Sequence, residues 1–122
     1  MFDITGEEAR LLLNIALMSI GQNRFGSAAK ILAALERFRP AEPSLAVANS
    51  ILLMSKQDFQ GAVDYIDRDA LPRFPDSAML QAFKGMALIR MDRKSDAFAS
   101  LEIAANQTAD EAAAQLAKDL MK

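Results

Sequence analysis

Asn23-Arg24-Phe25-Gly26-Ser27-Ala28-Ala29, Gln57-Asp58-Phe59-Gln60-Gly61-Ala62-Val63 and Asp92-Arg93-Lys94-Ser95-Asp96-Ala97-Phe98 are three versions of one short pattern. Each opens with a polar turn and carries an alanine at its sixth residue. Ala28 and Ala62 are 34 residues apart, and Ala62 and Ala97 are 35 apart. Twelve residues before each alanine stands a small residue: Ala16, Ser50 or Gly85. Four residues after each stands a large aliphatic one: Leu32, Ile66 or Leu101. A fixed period of this length marks a helix–turn–helix unit that recurs along the chain. Small residues on both helices of a unit let the axes approach closely, and the large residue fills the space towards the next unit.

Outward from these turns the chain reads as seven helices. Thr5 and Glu8 form a capping box for the first, which runs through Leu11, Leu12, Ile15, Ala16 and Leu17 to about Gly21. Gly21 is expected to adopt the left-handed conformation that ends it. The second helix begins near Phe25 and buries Ala28, Ile31, Leu32 and Leu35, a helical spacing. Pro40 and Pro43 stop it and open the third, which covers roughly Pro43 to Lys56. The fourth starts near Asp58 and Phe59, and Leu71-Pro72-Arg73-Phe74-Pro75-Asp76 reads as a clear break. The fifth runs from about Ser77 to Met91, and the sixth carries Ala97, Phe98, Leu101, Ala104 and Ala105. The seventh, Ala109 to Lys122, places Ala113, Leu116 and Leu120 on one face. The whole chain, 1–122, forms a single domain with units at about 9–42, 43–77 and 78–108 and a capping helix at 109–122.

Composition excludes several kinds of function. A formal net charge of −2, with Lys and Arg scattered, is too small to draw in nucleic acid or anionic lipid. There is no Cys and no His, which removes disulfides, the common metal sites and the Ser-His and Cys-His nucleophile systems. No metal and no cofactor is expected. Glu7 with Glu8 and Asp64 with Asp67 are the nearest approach to paired carboxylates. A helix-end cap and a solvated face account for them better than acid–base catalysis, so the chain is read as a non-enzyme. No apolar run nears the ~20 residues that span a bilayer. A cleaved leader is not expected at the start.

The spacing and small-residue positions resemble the tetratricopeptide family, with Ala16, Ser50 and Gly85 on its small first-helix position and Ala28, Ala62 and Ala97 on its second-helix alanine. Pro40 matches the family's terminal proline and Pro75 stands one residue late. Leu12, Ala46 and Gln81 replace its early aromatic. Ser19, Leu53 and Leu88 replace its tyrosine, and Asn49 and Lys84 stand where a leucine is usual. The resemblance covers about residues 9–110. It implies an all-α fold: a right-handed α-solenoid of three divergent helix pairs closed by the last helix.

In such a stack the first helices line the concave side. The family's groove-facing positions fall on Leu13, Leu17 and Ile20, on Val47, Ile51 and Met54, and on Met79, Ala82, Met86 and Ile89. All are apolar, which suits an amphipathic helix of a protein partner laid in a groove. The alternative is that they are internal core or a dimer interface of the free protein. In length, repeat number and composition the chain is similar to the small needle-subunit chaperones of bacterial type III secretion. That resemblance implies a cytoplasmic chaperone that sequesters an amphipathic helix of the needle subunit together with a small helical co-chaperone. A generic repeat adaptor and a translocator chaperone are the alternatives.

Overall fold

The computed structural model describes residues 5–122. Residues 1–4, where the domain was expected to begin and a leader was not, lie outside them. The described residues form seven helices and no strand: α1 (Gly6–Gly21), α2 (Phe25–Phe38), α3 (Pro43–Ser55), α4 (Phe59–Tyr65, prolonged by a π-helical segment Ile66–Ala70 and a final turn Leu71–Arg73), α5 (Ala78–Arg90), α6 (Lys94–Ala105) and α7 (Glu111–Leu120).

Capping residues set most of the starts. The Thr5 hydroxyl accepts from the Glu8 N–H at 3.1 Å while Glu8 Oε1 accepts from the Thr5 N–H at 3.2 Å, which completes the expected capping box. Asp58 caps α4 through the Gly61 N–H (2.9 Å), Ser77 caps α5 through the Leu80 N–H (3.2 Å), and Asp110 caps α7 through the Ala113 N–H (3.0 Å). Pro43 sits in the first turn of α3, where its missing N–H costs no helical hydrogen bond.

The turns within the three units are the same structure repeated. Asn23, Gln57 and Asp92 have φ of 61°, 63° and 61°. In each turn the next residue's N–H reaches five residues back: Arg24 to the Ser19 carbonyl, Asp58 to Leu53 and Arg93 to Leu88, at 2.8, 2.9 and 2.9 Å. This is a Schellman closure with a non-glycine residue in the left-handed position. Gly21 is not that residue. It still lies within α1 at negative φ, and Asn23 two positions on takes the left-handed conformation. Closing the carbonyls of the last turn requires left-handed geometry at the residue just beyond the helix cap, whatever glycines precede it.

The expected break at Leu71–Asp76 begins late. Leu71 donates to the Ile66 carbonyl five residues back, and Phe74 to the Ala70 carbonyl at 2.9 Å. The widened turn carries the helix past Pro72, whose ring and missing N–H disrupt the regular ladder. The chain leaves the helix only at Phe74.

Packing follows the chain. All the extensive helix–helix contacts join helices one or two apart in sequence, among them α1 with α2 and α3, α3 with α5, and α5 with α6 and α7. The apolar interior is a string of four clusters. Their buried members come from α1–α2–α3, α3–α4–α5, α4–α5–α6 and α5–α6–α7 in turn. The repeated small residues sit inside these clusters or between them: Ala16, Ala28, Ser50, Ala62 and Ala97 are 0% exposed. Ser50 satisfies its hydroxyl on the Ala46 carbonyl at 2.9 Å. Leu32, Ile66 and Leu101 are equally enclosed.

Candidate partner-binding site

The ten positions predicted for a partner lie on α1, α3 and α5 at spacings of three and four residues, so each helix presents them on one side. Ile20 and Ala82 are buried, at 4% and 0% exposure, and have almost no surface left for another chain. Leu13, Leu17, Val47, Ile51, Met54, Met79, Met86 and Ile89 are half-buried. Leu13, Leu17 and Ile51 pack beside Ile20 in the α1–α2–α3 cluster. Met54 and Ile89 both pack against the cluster of α4, α5 and α6. Met79 and Ile89 flank Ala82 in the cluster under α7, and Val47 packs against the α3–α4–α5 cluster. The row therefore lies along the seams between neighbouring helices, with part of each outer side chain still accessible.

Sequence reasoning missed the polar end of this row. A cleft of about 320 Å3 opens where α1, α2 and α3 converge. Leu13, Leu35 and Leu45 give it an apolar wall, and Arg10, Arg39, Glu42 and Ser44 its polar edge. Arg39 Nη2 and Glu42 Oε1 pair at 2.9 Å. Arg10 comes from the first turns of α1 and Arg39 from the end of α2. Nothing in the local pattern of either segment shows that they meet.

A second cleft, of about 390 Å3, lies between α4, α5 and α6 and contains none of the ten positions. Its charges are engaged with one another: Lys84 Nζ is 2.7 Å from Asp67 Oδ1, and Arg93 Nη2 is 2.7 Å from Asp96 Oδ2. Asp64 accepts from the Gln60 amide at 2.9 Å. The carboxylates considered for acid–base work thus serve as a helix cap (Glu8), a helix-surface acceptor (Asp64) and an ion-pair partner (Asp67).

Asn49 and Lys84 make polar contacts between helices. Lys84 crosses to Asp67 on the π-helical extension of α4. Asn49 donates to the Tyr65 hydroxyl at 3.4 Å, within a network centred on Arg73. Arg73 Nη1 donates to Glu36 at 2.9 Å and to the Pro40 carbonyl at 3.2 Å, and Nη2 donates to Tyr65 at 3.4 Å. Its Nε is 3.1 Å from Asp69 Oδ1, close enough for an ion pair but without a hydrogen bond. Burial pushes the Tyr65 hydroxyl above its ordinary pKa, partly offset by the Asn49 hydrogen bond and the Arg73 charge. Burial would lower the Arg73 pKa, but Glu36 and Asp69 outweigh it and raise it above the usual value. The network fastens α2, α3 and α4 together and contains none of the ten positions, though Tyr65 packs against the same cluster as Val47.

Comparison of the chain with protein-family models, with curated proteins and with solved structures finds no match. Among the described residues no group of His, Cys, Asp or Glu is arranged to hold a metal ion, and no helix is long and apolar enough to cross a membrane.

Proposed function

We propose that this chain is a non-catalytic helical-repeat chaperone that holds an amphipathic helix of another protein along the seam of α1, α3 and α5. The observation that carries the reading is the recurrence of one turn. Asn23, Gln57 and Asp92 share the same left-handed geometry, 34 and 35 residues apart, and each is followed five residues later by a wholly buried alanine. Three equivalent units in sequence support a tetratricopeptide-like stack of antiparallel pairs in a right-handed superhelix. The string of local clusters supports it too, because a bundle would pool its apolar residues in one centre.

A stack presents its first helices side by side, and here that row is apolar and half-buried. An amphipathic helix needs such a surface: apolar side chains to receive its i, i+3, i+4 and i+7 anchors, with polar groups at the rim. Met54, Met79 and Met86 supply side chains that adapt to an imperfect fit. Arg10 and Arg39 offer cations where the partner helix emerges near the start of α1. The resemblance to needle-subunit chaperones names the candidate cargo: the self-assembling subunit of a bacterial secretion needle, held in the cytoplasm with a small helical co-chaperone.

Affinity capture of the intact chain from its native cells, with mass spectrometry of what it retains, tests this reading. A stoichiometric small helical protein that polymerises once released is the expected result. Recovery of the chain alone, together with failure of an isolated needle-subunit helix to bind it, would sink the proposal.

A further inference from the structure

The units also identify a surface that the stack leaves uncovered. Leu11, Ile15 and Met18 lie on the outer face of α1 and are 61%, 41% and 64% exposed. Their equivalents one and two units later are Leu45, Asn49 and Leu52, and Leu80, Lys84 and Ala87, at offsets of 34 and 69 residues. There the apolar members are closed off: Leu45 is 3% exposed, Leu52 8%, Leu80 0% and Ala87 0%. These positions are therefore stacking positions, and in the first unit no described helix covers them. The polar middle residues of the later units, Asn49 and Lys84, engage Tyr65 and Asp67. In the first unit that place is taken by Ile15, so Leu11, Ile15 and Met18 form an uncharged apolar strip with exposed Asn14 beside it.

We propose that this face is where two copies of the chain pair, α1 against antiparallel α1 about a twofold axis. The far end of the molecule cannot receive it, because α7 turns exposed Glu111, Gln115, Lys118 and Asp119 outward. Head-to-tail contact would set the apolar α1 strip against those charges, whereas a second α1 face meets it with three exposed apolar side chains on one helix; the other large exposed apolar residues, Phe38, Phe98 and Ile103, are spread over α2 and α6. Such an isologous contact closes as a dimer. The charges fit it. Those of α1 are confined to Glu7, Glu8 and Arg10, and the helix carries none from Leu11 to Gly21. An antiparallel crossing centred between Asn14 and Ile15 sets Leu11 over the partner copy's Met18. It also brings Glu7 towards the other copy's Arg24, just past the end of α1. Both are exposed, and neither has an ion-pair partner among the described residues. Two symmetric ion pairs would then flank the apolar strip, and the two helix dipoles would oppose each other. The inference rests on the burial of equivalent positions and on the charges that border the strip, and stands whether or not the chain is a chaperone.

Sedimentation and light scattering of the full chain over a dilution series, without any partner, test it. The mass should be that of two chains when concentrated and fall towards one on dilution. Met18→Glu, at an exposed position, should leave helical content unchanged, leave melting unchanged at dilutions where both chains are monomeric, and weaken self-association about tenfold or more. Glu7→Arg and Arg24→Glu should each weaken it, and the two together should restore it. A chain monomeric at every concentration would overturn the proposal and assign the face to a helix of a different protein. A dimer indifferent to Met18→Glu, or a mass growing beyond two chains, would overturn it equally.

Discussion

Gly85 on α5 lies so close to α6 that a methyl group in its place would collide with the Leu101 side chain and lie 3.3 Å from the Ala97 carbonyl oxygen. Glycine here serves close approach rather than backbone freedom, since no glycine in the described chain has positive φ. The small position of the third unit thus meets both the alanine and the large residue of its own second helix. Gly85→Ala should separate the two axes and lower stability by about 1–3 kcal/mol. Urea unfolding measures it. An unchanged midpoint would show that Leu101 can swing away freely and that the contact does not set the spacing. Ala62→Leu, at a 0% exposed position in the second unit, should lose a similar amount.

Gln57 and Asp92 carry left-handed backbone without the glycine that would adopt it without a Cβ penalty, and Asn23 does so with a residue that tolerates it better. Gln57→Gly should therefore stabilise the fold, by up to about 1 kcal/mol after the greater freedom of glycine in the unfolded chain is offset, and raise the melting temperature. Asn23→Gly should give less. Gln57→Val, with a β-branched side chain at φ 63°, should lower the midpoint. Thermal melts of the three variants order them, and a loss of stability in Gln57→Gly would contradict the assigned geometry.

Those same turns mark where the sequence was legible and where it was not. The buried alanines, the small first-helix residues and Leu32, Ile66 and Leu101 could be located because size and spacing are properties of the chain itself. Left-handed turns without glycine carry no composition signal, so the first was assigned to Gly21 instead of Asn23. Pro72 read as a terminator because local rules treat proline as one. The helix passes it by widening over Ile66–Ala70, where packing keeps Ile66 and Ala70 enclosed. The ten positions expected to face a partner were legible as apolar faces. How much of each remains uncovered depended on neighbouring helices, which is why Ile20 and Ala82 turned out buried. The Arg10–Arg39 edge exists only once the end of α2 is brought against α1.

Tyr65 gives the fold an alkaline signature. Its hydroxyl is raised above 10.0 chiefly by burial, so the folded state holds the proton more tightly than the unfolded chain. The stability this contributes is complete below 10.0 and is lost as pH rises from there through the folded value. Tyr65→Phe removes the effect and leaves the Asn49 and Arg73 groups with weaker company, since both hydrogen bonds are long, at 3.4 Å. The variant should be slightly less stable near neutrality, by about 0.5–1.5 kcal/mol. Its deficit should shrink as pH rises above 10.0. Thermal melts across that range check the trend, and a deficit that widens with pH would mean that the hydroxyl is not the group that titrates.

The functional claim is best tested at two positions of unequal burial. Ile51 is half-buried and packs against the cluster of α1, α2 and α3, while Met86 is half-buried on α5 and lies outside the four apolar clusters. A carboxylate at either site would face the apolar side of a bound helix with no counter-ion. Both Ile51→Asp and Met86→Asp should therefore abolish capture of an amphipathic helix. Truncation of such an anchor alone can cost ~2 kcal/mol or more in binding. The two should differ in the free protein. Ile51→Asp places charge beside Ile20 and should lower the melting temperature, whereas Met86→Asp should leave melting and the helical circular-dichroism signal largely intact. Capture and stability measured on the same preparations separate a groove from a core. A folded Met86→Asp that binds normally would remove α5 from the site. If Ile51→Asp unfolded while Met86→Asp kept full binding, the whole row would be interior packing, and a partner would have to be sought on the second-helix face.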